Sequence, residues 1–404
     1  MLRTLVRRYV FENMIPTLGL LLGVMQVVVG HWVVVVFGGA PGPGIRTGLL
    51  LAALLVLANG AAIVPMRRAL RAEGAMRWVA RGYLALGLAT VIVGGAITAA
   101  WAGFVPVASL LGAAGLSPDA ALTAFRVATV PVVAALAAML AWGFTVGQAS
   151  IDRSVQRIPL AGLDPRLAGL RIVQISDLHI GNHMEGGRLA RLVEEVNALR
   201  PDLVAITGDI FDGDPRYVDD GCVALDALRA RFGVYAVLGN HDVYTGRELV
   251  ARQLAKLAPN VRLLRGEIER LPSDAPFYVA GVEDAGKEGR DWTGPEMPFH
   301  GLEEIGGALP ADGPTLLLVH RPEAFPKAAR LGFPLVLAGH THGGQVALPG
   351  RGHWNPARLL TRFHRGLYHH DEHRSILYVN RGVGVAGPAI RFNCPREIAT
   401  IELV

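Results

Sequence analysis

A chain of 404 residues, 51% of them apolar, has room for a membrane segment and one sizeable globular domain. Its formal charge of +5 hides a division: residues 1–150 carry ten Arg, no Lys and three acids (Glu12, Glu73, Asp119), for +7, and the remainder stands at −2. The basic excess therefore belongs to the apolar half, which leaves nucleic acid without the basic patch that usually marks its binding domain.

Four apolar stretches, Met14–Phe37, Thr47–Met66, Tyr83–Phe104 and Val127–Gly147, each reach roughly the 20 residues needed to cross a hydrocarbon core as a helix. The first follows Arg3, Arg7 and Arg8, as a signal peptide would. Its apolar run is too long for an h-region and no small-residue cleavage site follows, so a retained helix is expected. Arg67, Arg68, Arg71, Arg77 and Arg81 fill the second connection, and Arg153, Arg157, Arg166 and Arg171 follow the fourth span. The other two connections hold only Arg46 and Arg126. The positive-inside rule then places both termini, and everything after the fourth span, in the cytoplasm, with the anchor in the cell inner membrane. No acid lies inside a span, and His31 and Asn59 are the polar candidates there, which argues against a transport path and for anchoring or lipid capture.

After Gly147 short β-branched runs alternate with amphipathic stretches: runs at Arg171–Ser176, Asp202–Thr207, Gly233–Leu238, Phe277–Gly281, Thr315–His320, Pro334–Gly339, Ile376–Asn380 and Glu397–Leu403. Helical patterns fall at Gly187–Arg200, Tyr217–Arg231 and Gly246–Leu257. Such alternation predicts an α/β domain over 151–404 behind a four-helix transmembrane domain over 1–150. The last runs have no helices between them, so part of the sheet is expected to be antiparallel. Cys222 and Cys394 lie far apart and outside any CxxC spacing, which predicts two buried thiols rather than a disulfide or a zinc–thiolate site.

Five short motifs each sit where an apolar run ends: Ser176-Asp177-Leu178-His179, Gly208-Asp209-Ile210-Phe211-Asp212, Gly239-Asn240-His241-Asp242, His320, and Gly339-His340-Thr341-His342. Ligands in open α/β sheets sit beyond the carboxyl ends of strands, so five strands delivering polar groups to one rim predict a site. Carboxylate, imidazole and amide oxygen together suit Mn²⁺, Fe²⁺, Zn²⁺ or Mg²⁺. Alternation along a strand end would let Asp177 and His179, and likewise His340 and His342, face the same way. Seven candidate ligands (Asp177, His179, Asp209, Asn240, His320, His340, His342) exceed the needs of one ion and suit two that share a carboxylate. Alone, a DxH or HxH is a weak signal; all five motifs in order form a specific one.

In this order the motifs resemble those of the calcineurin-like metallophosphoesterases, over roughly Arg171 to Val404. The resemblance implies a four-layer α/β/β/α sandwich and a dinuclear centre, manganese first among the candidate metals. By position, Asp177, His179 and His342 would hold the first ion, and Asn240, His320 and His340 the second, with Asp209 bridging. His241 would assist the leaving group or the phosphoryl oxygens, and Asp212 and Asp242 would orient ligands or His241. The longer segments Gly339-His340-Thr341-His342-Gly343-Gly344-Gln345-Val346, Tyr378-Val379-Asn380-Arg381-Gly382-Val383-Gly384 and Pro395-Arg396-Glu397-Ile398 resemble a membrane-associated bacterial subgroup. Some of its members resemble UDP-2,3-diacylglucosamine pyrophosphohydrolases. A phosphodiesterase or pyrophosphatase acting on a membrane lipid or lipid-linked phosphate is thus expected, without nucleic acid; a non-enzymatic membrane sensor or scaffold keeping the fold is the alternative.

Outside the motifs, His183, His353, His364, His369, His370 and His373 read as surface or loop histidines. Arg362, Arg365 and Arg391 read as solvated arginines or phosphate contacts, and Trp292 and Trp354 as lining the site mouth or packing.

Overall fold

The computed structural model describes residues 14–37, 44–70, 75–113, 115, 117–181, 183–285, 299, 301–348 and 354–404. Arg3, Arg7, Arg8, Arg71, Trp292 and His353 lie outside them. By internal contacts the chain divides into two units, Met1–Phe144 and Thr145–Val404.

The first unit holds helices α1 (Met14–Phe37), α2 (Ile45–Leu70), α3 (Ala75–Ala113) and α4 (Pro118–Trp142), the last running on through a π-turn at Gly143–Gly147. All four are long and apolar enough to cross a membrane. Small residues let the helices approach: a Cβ on Gly23 of α1 would meet Val56 of α2, and one on Gly94 of α3 would meet Met25 of α1. Asn59 on α2 is consumed by packing. Its side chain donates to Gln26 Oε1 on α1 (2.8 Å) and accepts from Tyr83 Oη on α3 (2.8 Å), so it joins three helices. Trp32 on α1 donates to Thr129 Oγ1 on α4 across 3.0 Å, inside a cluster with Ile97 and Phe125.

The second unit contains two six-stranded sheets. In the first, β1 (Ile151–Ile158), β12 (Arg396–Leu403), β2 (Arg171–Ile175), β3 (Leu203–Thr207), β4 (Val234–Val237) and β5 (Val261–Leu263) lie in that spatial order. The second runs β10 (Gly366–His370), β11 (Ser375–Val379), β9 (Leu335–Ala338), β8 (Thr315–Leu318), β7 (Tyr278–Gly281) and β6 (Glu267–Arg270). Pairing is mostly parallel. The antiparallel exceptions are β12 on β2, β10 on β11 and β6 on β7, and two of these lie in the closing runs where antiparallel pairing was expected. At the edge, β1 pairs parallel with β12 over eight residues, from Ile151 opposite Arg396 to Ile158 opposite Leu403.

Strand periodicity sorts the apolar residues into layers. Ile172, Ala205 and Tyr235 of the first sheet meet Leu316, Leu318, Leu335 and Leu337 of the second in a core between the sheets. Val173, Val204, Ile206 and Ala236 face the other way, onto α5 (Gly187–Ala198), α6 (Val218–Leu225) and α7 (Asn240–Leu257). On the far side, Leu317, Val336 and Ala338 pack against α8 (Leu302–Gly307) and α9 (Phe325–Arg330). The layers are α/β/β/α. One polar residue crosses the inner core: Gln174 donates to Thr207 Oγ1 (2.9 Å) and to the carbonyl of Ala338 in the opposite sheet (3.0 Å). Both N–H groups are satisfied, while Oε1 is buried without a partner among the described residues.

Candidate metal centre

The five motifs come from two sheets rather than from one rim. β2, β3 and β4 of the first sheet deliver Asp177 and His179, Asp209 and Asp212, and Asn240 and His241; β8 and β9 of the second deliver His320, and His340 with His342. The two sheets meet at their carboxyl ends, as the four-layer sandwich implied by the resemblance requires. Main-chain bonds tie the loops together: Asp177 N donates to Gly208 O (3.0 Å), His179 N to Asp209 O (3.0 Å) and Gly339 N to His320 O (3.0 Å).

A correction concerns how the paired residues come to face inward. Asp177 and His179 lie beyond the end of β2, and strand alternation does not aim them. Both adopt left-handed backbone, φ 50° and 47°, as do Asp209 (49°), His340 (70°) and His342 (50°). Among the described residues nine non-glycine positions have positive φ, and five are candidate ligands. Strain of this kind persists only where surrounding bonds over-determine it, and it gathers at functional sites. Here the surrounding bonds are visible. His340 N donates to both oxygens of Asp177 (3.0 Å each), and His241 N donates to Asp209 Oδ1 (2.8 Å).

Two donor sets result. Asp177, His179 and His342 converge in one, with His342 Nε2 at 3.3 Å from Asp177 Oδ1 and 3.0 Å from His179 Nε2. Asp209, His320 and His340 converge in the other, with His320 Nε2 at 3.2 Å from Asp209 Oδ2 and 3.1 Å from His340 Nδ1. Asp209 Oδ2 also lies 3.7 Å from His179 Nε2, so one carboxylate oxygen faces both sets.

Whether cations fit can be tested on the protons. His320 Nδ1 sits 2.8 Å from the carbonyl of Thr207, and His179 Nδ1 sits 3.0 Å from Asp212 Oδ1. Donating there leaves each Nε2 as a lone pair aimed at Asp209, an arrangement that calls for a cation between nitrogen and carboxylate. Asn240 Oδ1 is buried and accepts no hydrogen bond among the described residues, a cost that a ligated ion removes. The donor set fits two divalent ions.

The local electrostatics agree. Burial, and then the charge of Arg321 for His340 and of His179 for His342, hold both histidines well below the usual imidazole range, in the neutral form that ligates. Burial raises Asp177, whereas burial of Asp209 is outweighed by the imidazoles of His320, His241 and His179 together, which hold it well below the usual carboxylate range. Burial alone would lower His320, but the Asp209 carboxylate pulls it up to about 10. The pocket holds buried negative charge that only positive charge can balance, whether protons on imidazole or metal ions.

Around the donors, Asp212 Oδ1 bonds His179 Nδ1 and lies 3.3 Å from His241 Nδ1. Burial opposes its ionisation, yet these two imidazoles bring it to about 2. The His241 side chain remains 30% exposed, within reach of an incoming molecule. Asp242, expected to orient ligands or His241, is wholly buried and accepts from the amides of Gly239 (2.8 Å), Ile210 (3.1 Å) and Phe211 (2.8 Å). It clamps the Gly208 and Gly239 loops together by their backbone; burial and the nearby Asp209 charge raise it to about 7.

Arg391 is the clearest departure from its sequence reading. Instead of being solvated, it is fully buried, and Nη2 donates to the carbonyls of Arg381 (2.9 Å), Gly382 (3.1 Å) and Gly384 (2.7 Å). The same nitrogen lies 3.4 Å from His342 Nδ1. Arg321 and Asp284 were not singled out from sequence. They form a buried ion pair beside His340, whose Nε2 is 3.4 Å from Arg321 Nη1. The only available signal was a charge adjoining motif residue His320. His364 is half-buried and bonds Asn355 (3.1 Å); Trp354 and Arg362 are exposed; Cys222 and Cys394 are buried.

Residues 170–344 match the family described as calcineurin-like phosphoesterase. A bovine transmembrane protein with metallophosphoesterase domain is 33% identical over 256 residues, 61% of this chain and 55% of its own length. A metallophosphoesterase of Campylobacter jejuni is 29% identical over 263 residues, 63% of this chain and 66% of its own. A zebrafish dimetal phosphatase structure aligns at TM-score 0.40 with 16% identity, over 58% of this chain and 93% of that one. The chain thus spans little more than half of the bovine relative and about two thirds of the bacterial one. Motifs, layers and matched residues agree: the second unit contains a calcineurin-like metallophosphoesterase domain.

Proposed function

We propose that this chain is a metal-dependent phosphoester hydrolase, a phosphodiesterase or pyrophosphatase, held in the inner membrane by residues 1–150 with residues 151–404 on the cytoplasmic side. The observation that carries the reading is the pair of donor sets sharing Asp209, with His179 Nε2 and His320 Nε2 both facing its carboxylate. Asp177, His179 and His342 would hold one ion, and Asn240, His320 and His340 the other, with Asp209 between them; manganese is the first candidate. When bound, such ions supply Lewis acidity toward phosphoryl oxygens.

The remaining work falls to the chain. His241, half-exposed at the edge of the donor sets, is placed to hold a proton for the departing oxygen. Asp212, ionised at neutral pH, fixes the tautomer of that ring and of His179 through one oxygen. Asp242 keeps the two loops in register. A lipid-linked phosphate such as UDP-2,3-diacylglucosamine is the proposed substrate, supported by the apolar helices on the same chain and by the arginine-rich second connection. Asn59 being used in helix packing favours an anchor over a transport path.

The test is hydrolysis of bis(p-nitrophenyl) phosphate and UDP-2,3-diacylglucosamine by the detergent-purified chain, with Mn²⁺ or a chelator. Metal-dependent cleavage of the lipid, lost in Asp209→Ala, supports the full reading. Cleavage of the diester alone removes the lipid substrate. Two bound metals without cleavage of either would favour a sensor.

A further inference from the structure

Beside the donor sets, one stretch of chain gathers four of the second unit's exposed large apolar side chains among the described residues. Leu348, Trp354, Leu359 and Leu360 are 53%, 46%, 63% and 61% exposed. Leu348 N bonds the carbonyl of Trp354 (2.8 Å), and the leucines at 359 and 360 sit at the end of a 3-10 turn, Pro356–Leu359. Residues 354–365 are held from below. Asn355, Ala357 and Phe363 are buried beneath it, and Tyr368 Oη accepts from His364 N (3.0 Å). The side chains are presented outward by an ordered base.

Charge accompanies the apolar groups. Residues 346–365 include Arg351, Arg358, Arg362 and Arg365 and no acid, and the whole interval 324–370 lacks Asp and Glu. In a unit whose net charge is close to zero, this is a local positive field. Arg358 and Arg362 are exposed, and the Arg362 guanidinium stacks over Phe363 at 4.4 Å. Exposed leucines and a tryptophan with exposed Arg358 and Arg362 among them in sequence suit an anionic bilayer surface: apolar groups enter the headgroup boundary while arginine pairs with lipid phosphate. A protein partner would need acidic complementarity of its own. The chain already carries four helices long and apolar enough to cross a membrane, so lipid is the surface always at hand.

The stretch is also fastened to the donor loops. Thr341 Oγ1, between His340 and His342, donates to the carbonyl of His364 (2.6 Å), and a Cβ on Gly344 would run into Asn355. We infer that residues 346–348 and 354–365 form a docking element that seats the phosphoesterase domain on an anionic phospholipid surface, with the loop bearing His340 and His342 tied to it. The inference rests on the proposed membrane anchoring, and does not require the phosphoesterase activity.

The test uses the full chain in nanodiscs of phosphatidylcholine, alone or mixed with phosphatidylglycerol. Leu359→Cys is labelled with an environment-sensitive fluorophore, selectively because Cys222 and Cys394 are buried; Val223→Cys, an exposed apolar position outside the stretch, is the control. Brominated lipid should quench the Leu359 label, more so with phosphatidylglycerol, and leave the Val223 label unaffected. Arg358→Ala with Arg362→Ala should lower the docked-to-undocked ratio roughly 25-fold, about fivefold per arginine. Equal quenching at both positions, or none at Leu359 in nanodisc-incorporated protein, overturns the docking element alone. A chain that does not co-elute with nanodiscs overturns the anchoring and the docking with it.

Discussion

Asp212 reaches His241 from behind, Oδ1 to Nδ1 across 3.3 Å, with the oxygen that also bonds His179 Nδ1 at 3.0 Å. One atom therefore sets the orientation of a proposed metal ligand and of the proposed proton donor together. Asp212→Asn keeps the shape and removes the charge. It should lower hydrolysis of the diester roughly 10–100-fold, the usual effect of removing a partner that orients a ligand. Steady-state rates and metal content measured on one preparation check this, and a variant with unchanged rate would detach Asp212 from the chemistry.

Gly208 combines a φ of +87° with close approach: a Cβ there would stand 2.6 Å from His320 Nδ1. Gly208→Ala should push His320 off the Thr207 carbonyl it bonds at 2.8 Å, and metal content by mass spectrometry should fall by about one equivalent. Retention of both equivalents would show that the loop yields without cost.

Removing the Arg391 guanidinium takes the Nη2 donor from the Arg381 and Gly384 carbonyls, while the Gly382 carbonyl still accepts from Glu397 N (3.1 Å). Arg391→Met should cost at least about 2 kcal/mol, since each orphaned buried polar group costs on the order of 1–3 kcal/mol. In a unit of this size that lowers the melting temperature by roughly 4–8 °C, readable by tryptophan fluorescence of the solubilised chain. Arg391→Lys keeps the charge but loses the fork, and should recover only part of the loss.

Glu397 accepts from Ser154 Oγ (2.6 Å), Tyr378 Oη (2.7 Å) and Arg381 Nη2 (2.8 Å). Burial opposes its charge, but Arg381 prevails and holds it below the usual carboxylate range. A depressed carboxylate contributes stability above its unfolded pKa, near 4.3, and loses it as pH falls through the folded value. The stability difference between the native chain and Glu397→Gln should be constant at neutral pH and shrink below about pH 4. A pH-independent difference in melting temperature would contradict the sign.

The eight apolar runs read from sequence all became strands, within a residue or two, because each is buried on both faces and leaves an unbroken apolar signature. The donor residues were legible because their types and order are unusual together. What stayed hidden is long-range. Nothing local in Leu316 or Leu335 says that β8 and β9 belong to a different sheet from β2. Ile151–Ile158 escaped notice because Asp152, Arg153 and Arg157 interrupt it, as befits an edge strand exposed on one side. The Gly366–His370 strand likewise alternates exposed with half-buried positions. Arg391 read as solvated because charge is usually outside; its carbonyl cage comes from loops that only the folded chain brings together.

The parallel pairing of β1 with β12 also sets a timetable for the ribosome. The strand that begins at Ile151 emerges some 245 residues before Arg396, its partner. At roughly 5–20 residues per second, that leaves a nascent edge waiting about 12–50 s for its mate. Throughout that interval the three charges on Asp152, Arg153 and Arg157 stand as sentries, discouraging other strands from annealing to a place reserved for the last one made.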